Sequence, residues 1–277
     1  KDINTTYGSI QAMHARDNDV VVFAEDKVMK VQSGGKDALF NADGNAQLTA
    51  SNRVLGTTIP FAGDYGISKN PESLAWDQYR MYFSDRQRGA VLRLSNNGVT
   101  PISEAGMKNY FRTKLKYYTN ITGSFDGVND EYNITLHKHD KFGTVLGAAK
   151  TISFNEKSKG WISFKSFTPF TAVSVSDRYY SVNDNEVWKH YSSSAERNSF
   201  YSPTGTRTHE SEIEILFSDA PNAIKSFRNI NYEGTQAKVD QFTTYATSDA
   251  AGNTFTVNDN EYYNLDGKTG WYVSDIT

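Results

Sequence analysis

Residues 63–102 read GDYGISKNPESLAWDQYRMYFSDRQRGAVLRLSNNGVTPI, three short runs of β-type residues each closed by turn chemistry. Residues 73–76 end at Asp77-Gln78, residues 80–84 at the stretch from Asp85 to Gly89, and residues 90–94 at Asn96-Asn97-Gly98. The last of these turns leads into a fourth run, 99–102. Runs this short, broken by residues that tolerate tight or left-handed backbone, cannot be long helices and are matched instead to hairpins. Four strands in succession form one antiparallel meander, the unit of a β-propeller blade.

The same punctuation recurs along the chain. Strands are expected at 19–24 and 27–32, joined at Glu25-Asp26, and at 117–125, 131–137, 150–155 and 160–166. A further meander is expected from 172–176, 179–182 and 186–191, turned at Asp177-Arg178 and Asn183-Asp184-Asn185. The series is completed by 212–217, 223–232, 237–245, 255–257 and 271–273. Only residues 104–115 read as a helix, a spacer between two β units, with Ser103 as N-cap and an apolar stripe of Ala105, Met107, Tyr110, Phe111 and Leu115 that should pack on a sheet edge. With 17 Tyr and 16 Phe against 4 Met, buried volume must come from rings and β-branched residues, which again favours sheet. The expected fold is therefore all-β: repeated four-stranded antiparallel meanders, propeller-like, with one helix near 104–115. Two regions are expected, 1–115 ending in the helix and 116–277 of further meanders.

Internal echoes support a repeat. FAEDKVMKVQSGG (23–35) and FSDRQRGAVLRLSNNG (83–98) both run from an aromatic through an acidic turn to a strand closed by glycine. SVNDNEVWKH (181–190) and TVNDNEYYNL (256–265) share Val-Asn-Asp-Asn-Glu followed by two large residues, and GVNDEYNITL (127–136) is a shorter copy. Asn and Asp accept left-handed backbone, so each copy encodes strand, tight turn and return strand.

The run 65–103, together with KGWISFKSF (159–167), YYSVNDNEVWKH (179–190), SFRNINYEGTQAKVDQF (226–242) and EYYNLDGKTGWYV (261–273), resembles virion structural proteins of tailed double-stranded DNA phages, particularly large marine and crAss-like phages. The resemblance covers most of 19–273. It implies a tail- or neck-associated protein built partly from propeller-like β domains.

No catalytic, cofactor-binding or metal site emerges from the residues. Asn41 to Asn45 suggests a calcium loop, but Leu39 and Ala50 stand where a first ligand and a bidentate glutamate are needed, so a turn is expected. His137 and His139 would share a strand face but have no further ligands in view, and are read as polar side chains facing solvent. The glycines of GTVLGAAKT (143–151) lack phosphate-loop spacing. Ser84 to Gly89 is not followed by the aromatic of a sialidase aspartate box, and Asp85 is read as capping its own turn. There is no Gly-x-Ser-x-Gly nucleophile elbow, and no motif singles out a carboxylate pair for glycoside cleavage.

Composition narrows the partners. A net charge of -3 and a pI near 6.0 offer no general attraction to nucleic acid. No apolar run approaches a membrane span. The absence of cysteine fits assembly in a host's reducing cytoplasm. Beginning at Lys1 and stopping at Thr277 soon after the apolar run 271–273, the chain is expected to be part of a longer polypeptide.

The aromatics are the remaining choice: core filler, protein-contact anchors or sugar-stacking platforms. The adjacent tyrosines of Tyr179-Tyr180 and Tyr262-Tyr263 must point to opposite sheet faces, so Tyr180 and Tyr263 are candidates for outward contacts. The polar loop 192–209 adds Arg197, Phe200, Tyr201 and Arg207. The expected role is non-catalytic scaffolding in the tail, neck or baseplate of a virion, through copies of itself and other phage structural proteins. The rivals are a module for host receptor or surface glycan and a polysaccharide-degrading propeller.

Overall fold

The computed structural model describes residues 3–33, 35–40, 46–50, 52–138 and 147–214, with 222, 224, 245–248 and 254–257. The chain divides into two compact units, Lys1–Ile213 and Glu214–Thr277. The position 115/116, expected from the sequence as a boundary, falls inside the first unit. Among the described residues no helix is long and apolar enough to cross a membrane.

The first sheet joins β1 (Ile10–Ala15), β2 (Asp19–Ala24), β3 (Val28–Ser33) and, after a separate hairpin of β4 (Lys36–Phe40) and β5 (Ala46–Ala50), β6 (Leu55–Pro60). The second is the meander β7 (Ala75–Trp76), β8 (Met81–Asp85), β9 (Ala90–Ser95) and β10 (Gly98–Pro101), as the turn residues of 63–102 predict. Helix α1 (Lys108–Tyr117) leads to a third meander of β11 (Asn120–Asp126), β12 (Glu131–His137), β13 (Lys150–Asn155) and β14 (Gly160–Lys165). The fourth sheet has three strands, β15 (Thr171–Val175), β16 (Arg178–Asn183) and β17 (Glu186–Lys189). In the second unit, β18 (Tyr245–Ser248) and β19 (Thr254–Val257) form an antiparallel hairpin. Of the strands expected at 212–217, 223–232 and 237–245, residues 212–214 form no strand and 224 and 245 are the other described positions, Tyr245 opening β18; the strand expected at 271–273, and Tyr263, lie outside the described residues.

Successive sheets stack face on face because alternate side chains of one strand serve two interfaces. On β8, Met81 and Phe83 pack with Val21, Phe23 and Val28 of the first sheet, whereas Tyr82 packs with Ile121, Tyr132 and Ile134 of the third. The leading phenylalanines of the first sequence echo meet here, Phe23 and Phe83 lying edge to face at 5.2 Å. The first strands also follow one another: His14 of β1 packs on Trp76 of β7 at 4.8 Å, β7 lies against β11, and β11 against β15. That is the neighbour relation of propeller blades, and among the described residues the series does not close into a ring.

Asp85, fully buried at the end of β8, caps its own turn as expected, accepting from the Arg88 N–H at 3.0 Å. It does more than that. It also accepts from the Gly66 N–H at 3.2 Å and the Ser68 hydroxyl at 2.9 Å, while Arg88 pairs with it at 3.0 Å and with Asp26 of the first sheet at 3.2 Å.

The helix starts later than the sequence predicts. Ser103 and Glu104 belong to a 3-10 turn, Ile102–Glu104, and Gly106 at φ +81 breaks the chain before Lys108. Ser103 is buried rather than capping, and Met107 at the N-cap makes no side-chain capping bond. The C-terminal end is better held, with Arg86 donating to the Leu115 and Lys116 carbonyls at 3.3 Å each. Tyr117, expected in a strand, closes the helix. Phe111 and Leu115, one turn apart, are fully buried between the second and third sheets, and Phe111 lies 4.5 Å from Trp161. The helix is therefore part of the shared core rather than a spacer at a sheet edge.

Two glycines separate space from backbone strain. A Cβ on Gly123 in β11 would meet the Ser73 carbonyl oxygen at 2.0 Å, whereas one on Gly98 would meet nothing within 4 Å although its φ is +92. Gly123→Ala should lower unfolding free energy by about 3 kcal/mol, since the obstacle is backbone, and Gly98→Ala by only about 1 kcal/mol. Urea denaturation of both variants measures the difference.

Candidate assembly surface

The fourth sheet is held by polar chemistry. On β12, Tyr132, Ile134 and Leu136 face the second sheet's core, while Glu131, Asn133, Thr135 and His137 face the other way, and all are buried. Buried polar groups need partners. Tyr179 of β16 supplies one: its hydroxyl shares hydrogen bonds with Ser124 at 2.7 Å and Asn133 at 3.3 Å. Thr135 and Thr151 bond to each other at 2.9 Å, and Glu131 is paired with Lys165 at 3.1 Å. Burial pushes the Tyr179 phenol well above its ordinary range, so it stays a neutral donor.

His137 corrects the sequence reading. It is buried, bonded through Nε2 to the Pro169 carbonyl at 3.0 Å and stacked on Phe170, because β12 is an interior strand with both faces covered. His139 and the stretch from Asn41 to Asn45 lie outside the described residues.

Asp126, fully buried at the end of β11, accepts from the Val128 N–H at 2.9 Å, the Asn129 amide at 3.2 Å and the Tyr191 hydroxyl. Beside it His190 shares a 2.7 Å hydrogen bond with Ser181 and lies 4.8 Å from Phe167 and 4.9 Å from Tyr179. Burial among rings, opposed by Asp126, brings its pKa down to about 4.

After β17 the chain does not return as a fourth strand. Residues 192–209 fold back on the inner face, where Phe200 packs on Phe167 at 5.3 Å and Tyr201 on Trp188 at 5.6 Å. Thr208 and His209 close the strap by donating to the Asn198 carbonyl. Of the residues singled out from sequence, Phe200 and Tyr201 thus anchor the loop inward, half-buried, whereas Arg197 and Arg207 are exposed. The structure brings Phe200 and Tyr201 to one side of the sheet and Tyr180 to the other.

The outer face was not singled out in the sequence beyond Tyr180. By register, Val173 pairs with Tyr180 and Tyr180 with Lys189, while Val182 pairs with Val187, so these side chains share one face. Val173, Val175 and Val187 are 56, 53 and 71 % exposed. The signal was available in the valines alternating with polar residues in TAVSV, once Tyr179 is assigned inward. A three-strand face of aliphatic residues open to water suits protein contact.

A shallow cleft of about 450 Å³ lies elsewhere, lined in part by Asp64, Arg88, Glu104, Lys108 and Arg112. Its carboxylates are engaged, Asp64 with Lys27 at 3.1 Å and Glu104 with Lys108 at 2.7 Å. Among the described residues no three metal-ligating side chains converge.

Because His190 has a lower pKa folded than unfolded, the unfolded chain binds its proton first. Stability should therefore fall as pH drops from about 6.5 towards 4, by on the order of 3 kcal/mol from this group. The His190→Gln variant should show a correspondingly flatter profile in denaturant titrations across that range. Phe200→Ala should release the strap, seen as faster amide exchange over 192–209 and a loss of about 2 kcal/mol, whereas Arg197→Ala and Arg207→Ala should each stay within about 0.5 kcal/mol of the parent.

No curated protein matches the chain. The Crassvirus muzzle protein family matches it over residues 1–185, from the N-terminus through the first three sheets to the turn after β16. Spanning most of the 277 residues, that match makes the chain a member of the Crassvirus muzzle protein family and a virion protein of crAss-like phages.

Proposed function

We propose that the chain is a non-catalytic structural subunit at the tail, neck or baseplate of the particle, a rigid scaffold that associates with copies of itself and with other virion proteins. The observation that carries this is the open apolar face of β15–β17 on a body whose preceding sheets bury their central strands on both faces. Scaffolding needs stiffness and a contact surface. Two apolar cores and the buried polar layer supply the first, and the valine face supplies the second.

A host-glycan module is the second reading, favoured by Trp76 and Tyr79, which are 53 and 70 % exposed on one hairpin. Antibody labelling of intact particles under the electron microscope, with copy number from quantitative mass spectrometry, separates the two. The scaffold reading expects several copies ringed at the neck, tail or baseplate. Label confined to distal fibres favours the glycan module, and absence from purified particles overturns the reading.

A further inference from the structure

Asn97-Gly98, the single Asn-Gly pair of the 277 residues, lies in the turn between β9 and β10. An asparagine carries an electrophile beside its own backbone: the amide nitrogen of the following residue reaches the side-chain Cγ by closing a five-membered ring. Closure is slowed by a side chain on that following residue and by hydrogen bonds that hold the asparagine amide. Neither brake acts here. Gly98 has no side chain, and a Cβ built on it would meet nothing within 4 Å, so nothing beyond the turn's own backbone crowds its nitrogen. Asn97 is exposed; its backbone N–H donates to the Ser95 hydroxyl at 3.3 Å, while its side-chain amide has no hydrogen-bond partner among the described residues. Gly98 sits at φ +92 and, as a glycine, leaves that conformation at little cost.

Comparable positions are held. Asn198 precedes the small Ser199, but its amide donates to the Ser211 hydroxyl at 2.6 Å and its carbonyl accepts from the Thr208 and His209 N–H groups at 3.0 and 3.1 Å. Asp126 precedes Gly127, and an aspartate can close the same ring, but its carboxylate is fully buried and holds the Val128 N–H and the Asn129 amide. We propose that Asn97 is a site of self-modification, which the chain converts without an enzyme to a mixture of aspartate and isoaspartate.

Hydroxide removes the Gly98 amide proton, and the nitrogen bonds to Asn97 Cγ. The Cγ–Nδ2 bond breaks, and Nδ2 leaves as ammonia after taking a proton from water. Water then opens the cyclic imide. Attack at Cγ restores the ordinary peptide with an aspartate side chain; attack at the backbone carbonyl leaves isoaspartate, its main chain running through Cβ and Cγ. One water is consumed and one ammonia released, with no oxidant or reductant. Either product adds a negative charge to a chain of net charge -3. The isoaspartyl product also lengthens the turn by one main-chain atom, so β10, an edge strand, must shift against β9 or fray. Its Val99 packs on the core shared by the first two sheets, and the Ile102 carbonyl just beyond it accepts from the Trp161 indole of the third at 3.0 Å.

The test is prolonged incubation of the full 277-residue chain at physiological temperature and mildly alkaline pH, followed by peptide mass spectrometry. The peptide holding Asn97 should gain about 1 Da, faster at higher pH, and the product should accept a methyl group from an isoaspartate-directed carboxyl methyltransferase. Asn198 should lag far behind Asn97 in the folded chain and gain on it when urea releases its hydrogen bonds. Gly98→Ala should slow conversion at least about tenfold, because a Cβ then flanks the attacking nitrogen and narrows its φ. Asn97→Gln should leave the mass unchanged over the same time, since a six-membered ring closes far more slowly. Enriched isoaspartyl chain should show faster amide exchange over 98–101. No mass gain at Asn97, an equal rate in Gly98→Ala, or a folded chain in which Asn198 keeps pace with Asn97 would each overturn the assignment of this site. Unchanged exchange over 98–101 in the isoaspartyl chain would overturn its effect on β10.

Discussion

Tyr82 ties the second sheet to the third, and the order of the later sheets follows from that junction. Its ring lies nearly parallel to Tyr132 at 4.9 Å and to Phe125 at 5.7 Å, two residues that pair across β11 and β12. A tyrosine this deep must place its hydroxyl, and it does so on Glu156 at 2.7 Å, which also accepts from Arg93 at 2.8 Å. Burial holds the phenol far above its ordinary pKa, so the hydroxyl remains a donor to the carboxylate. Apolar area brings the sheets together, and the single buried hydroxyl limits how they can slide. Ser73 adds a second such constraint, its carbonyl accepting from Tyr132 at 2.9 Å where Gly123 leaves room for it.

The interfaces change character along the chain. Between the first and second sheets the contact is aliphatic and aromatic, and between the second and third it is aromatic with α1 wedged in. Between the third and fourth it is a polar layer, in which the Tyr179 hydroxyl bonds Ser124 and Asn133 across the interface and Thr135 bonds Thr151 within the third sheet. An apolar contact tolerates small shifts, because dispersion is not directional. A layer of paired hydrogen bonds does not, because a displaced partner leaves a buried group unsatisfied. The polar layer therefore fixes the orientation of β15–β17, and with it the direction in which the outer valines are presented.

Membership of the Crassvirus muzzle protein family gives this geometry a setting. The chain has no cysteine with which to cross-link. Its described sheets instead share residues: one strand, β8, serves two cores through alternate side chains, and one carboxylate, Asp85, binds both the segment 66–68 and Arg88 of its own turn. Local unfolding of one sheet would expose the face of the next, which makes the stack cooperative.

Much of the backbone plan was legible without coordinates. Asn183-Asp184-Asn185, Asp177-Arg178 and Asn96-Asn97-Gly98 mark hairpin ends because few residues accept the dihedrals found there, such as φ +49 and +64 at Asp184 and Asn185. Alternation within strands then set β12 and β13 to the residue. The helix start was misplaced because Ser103 and Glu104 satisfy a local capping pattern, whereas burial of Ser103 and the break at Gly106 are decided by packing. His137 was misread for a related reason: a polar residue looks the same in sequence whether its strand is covered on one face or two. Phe200 and Tyr201 could be named as contacts, but nothing local says whether a loop aromatic turns outward or back onto its own sheet. What the amino-acid sequence by itself determined was where strands end and turn, since that is a property of single residues and their neighbours. Which face of each strand is covered, and so which valines are left exposed, was decided only when the sheets stacked, because burial depends on residues far away in the chain.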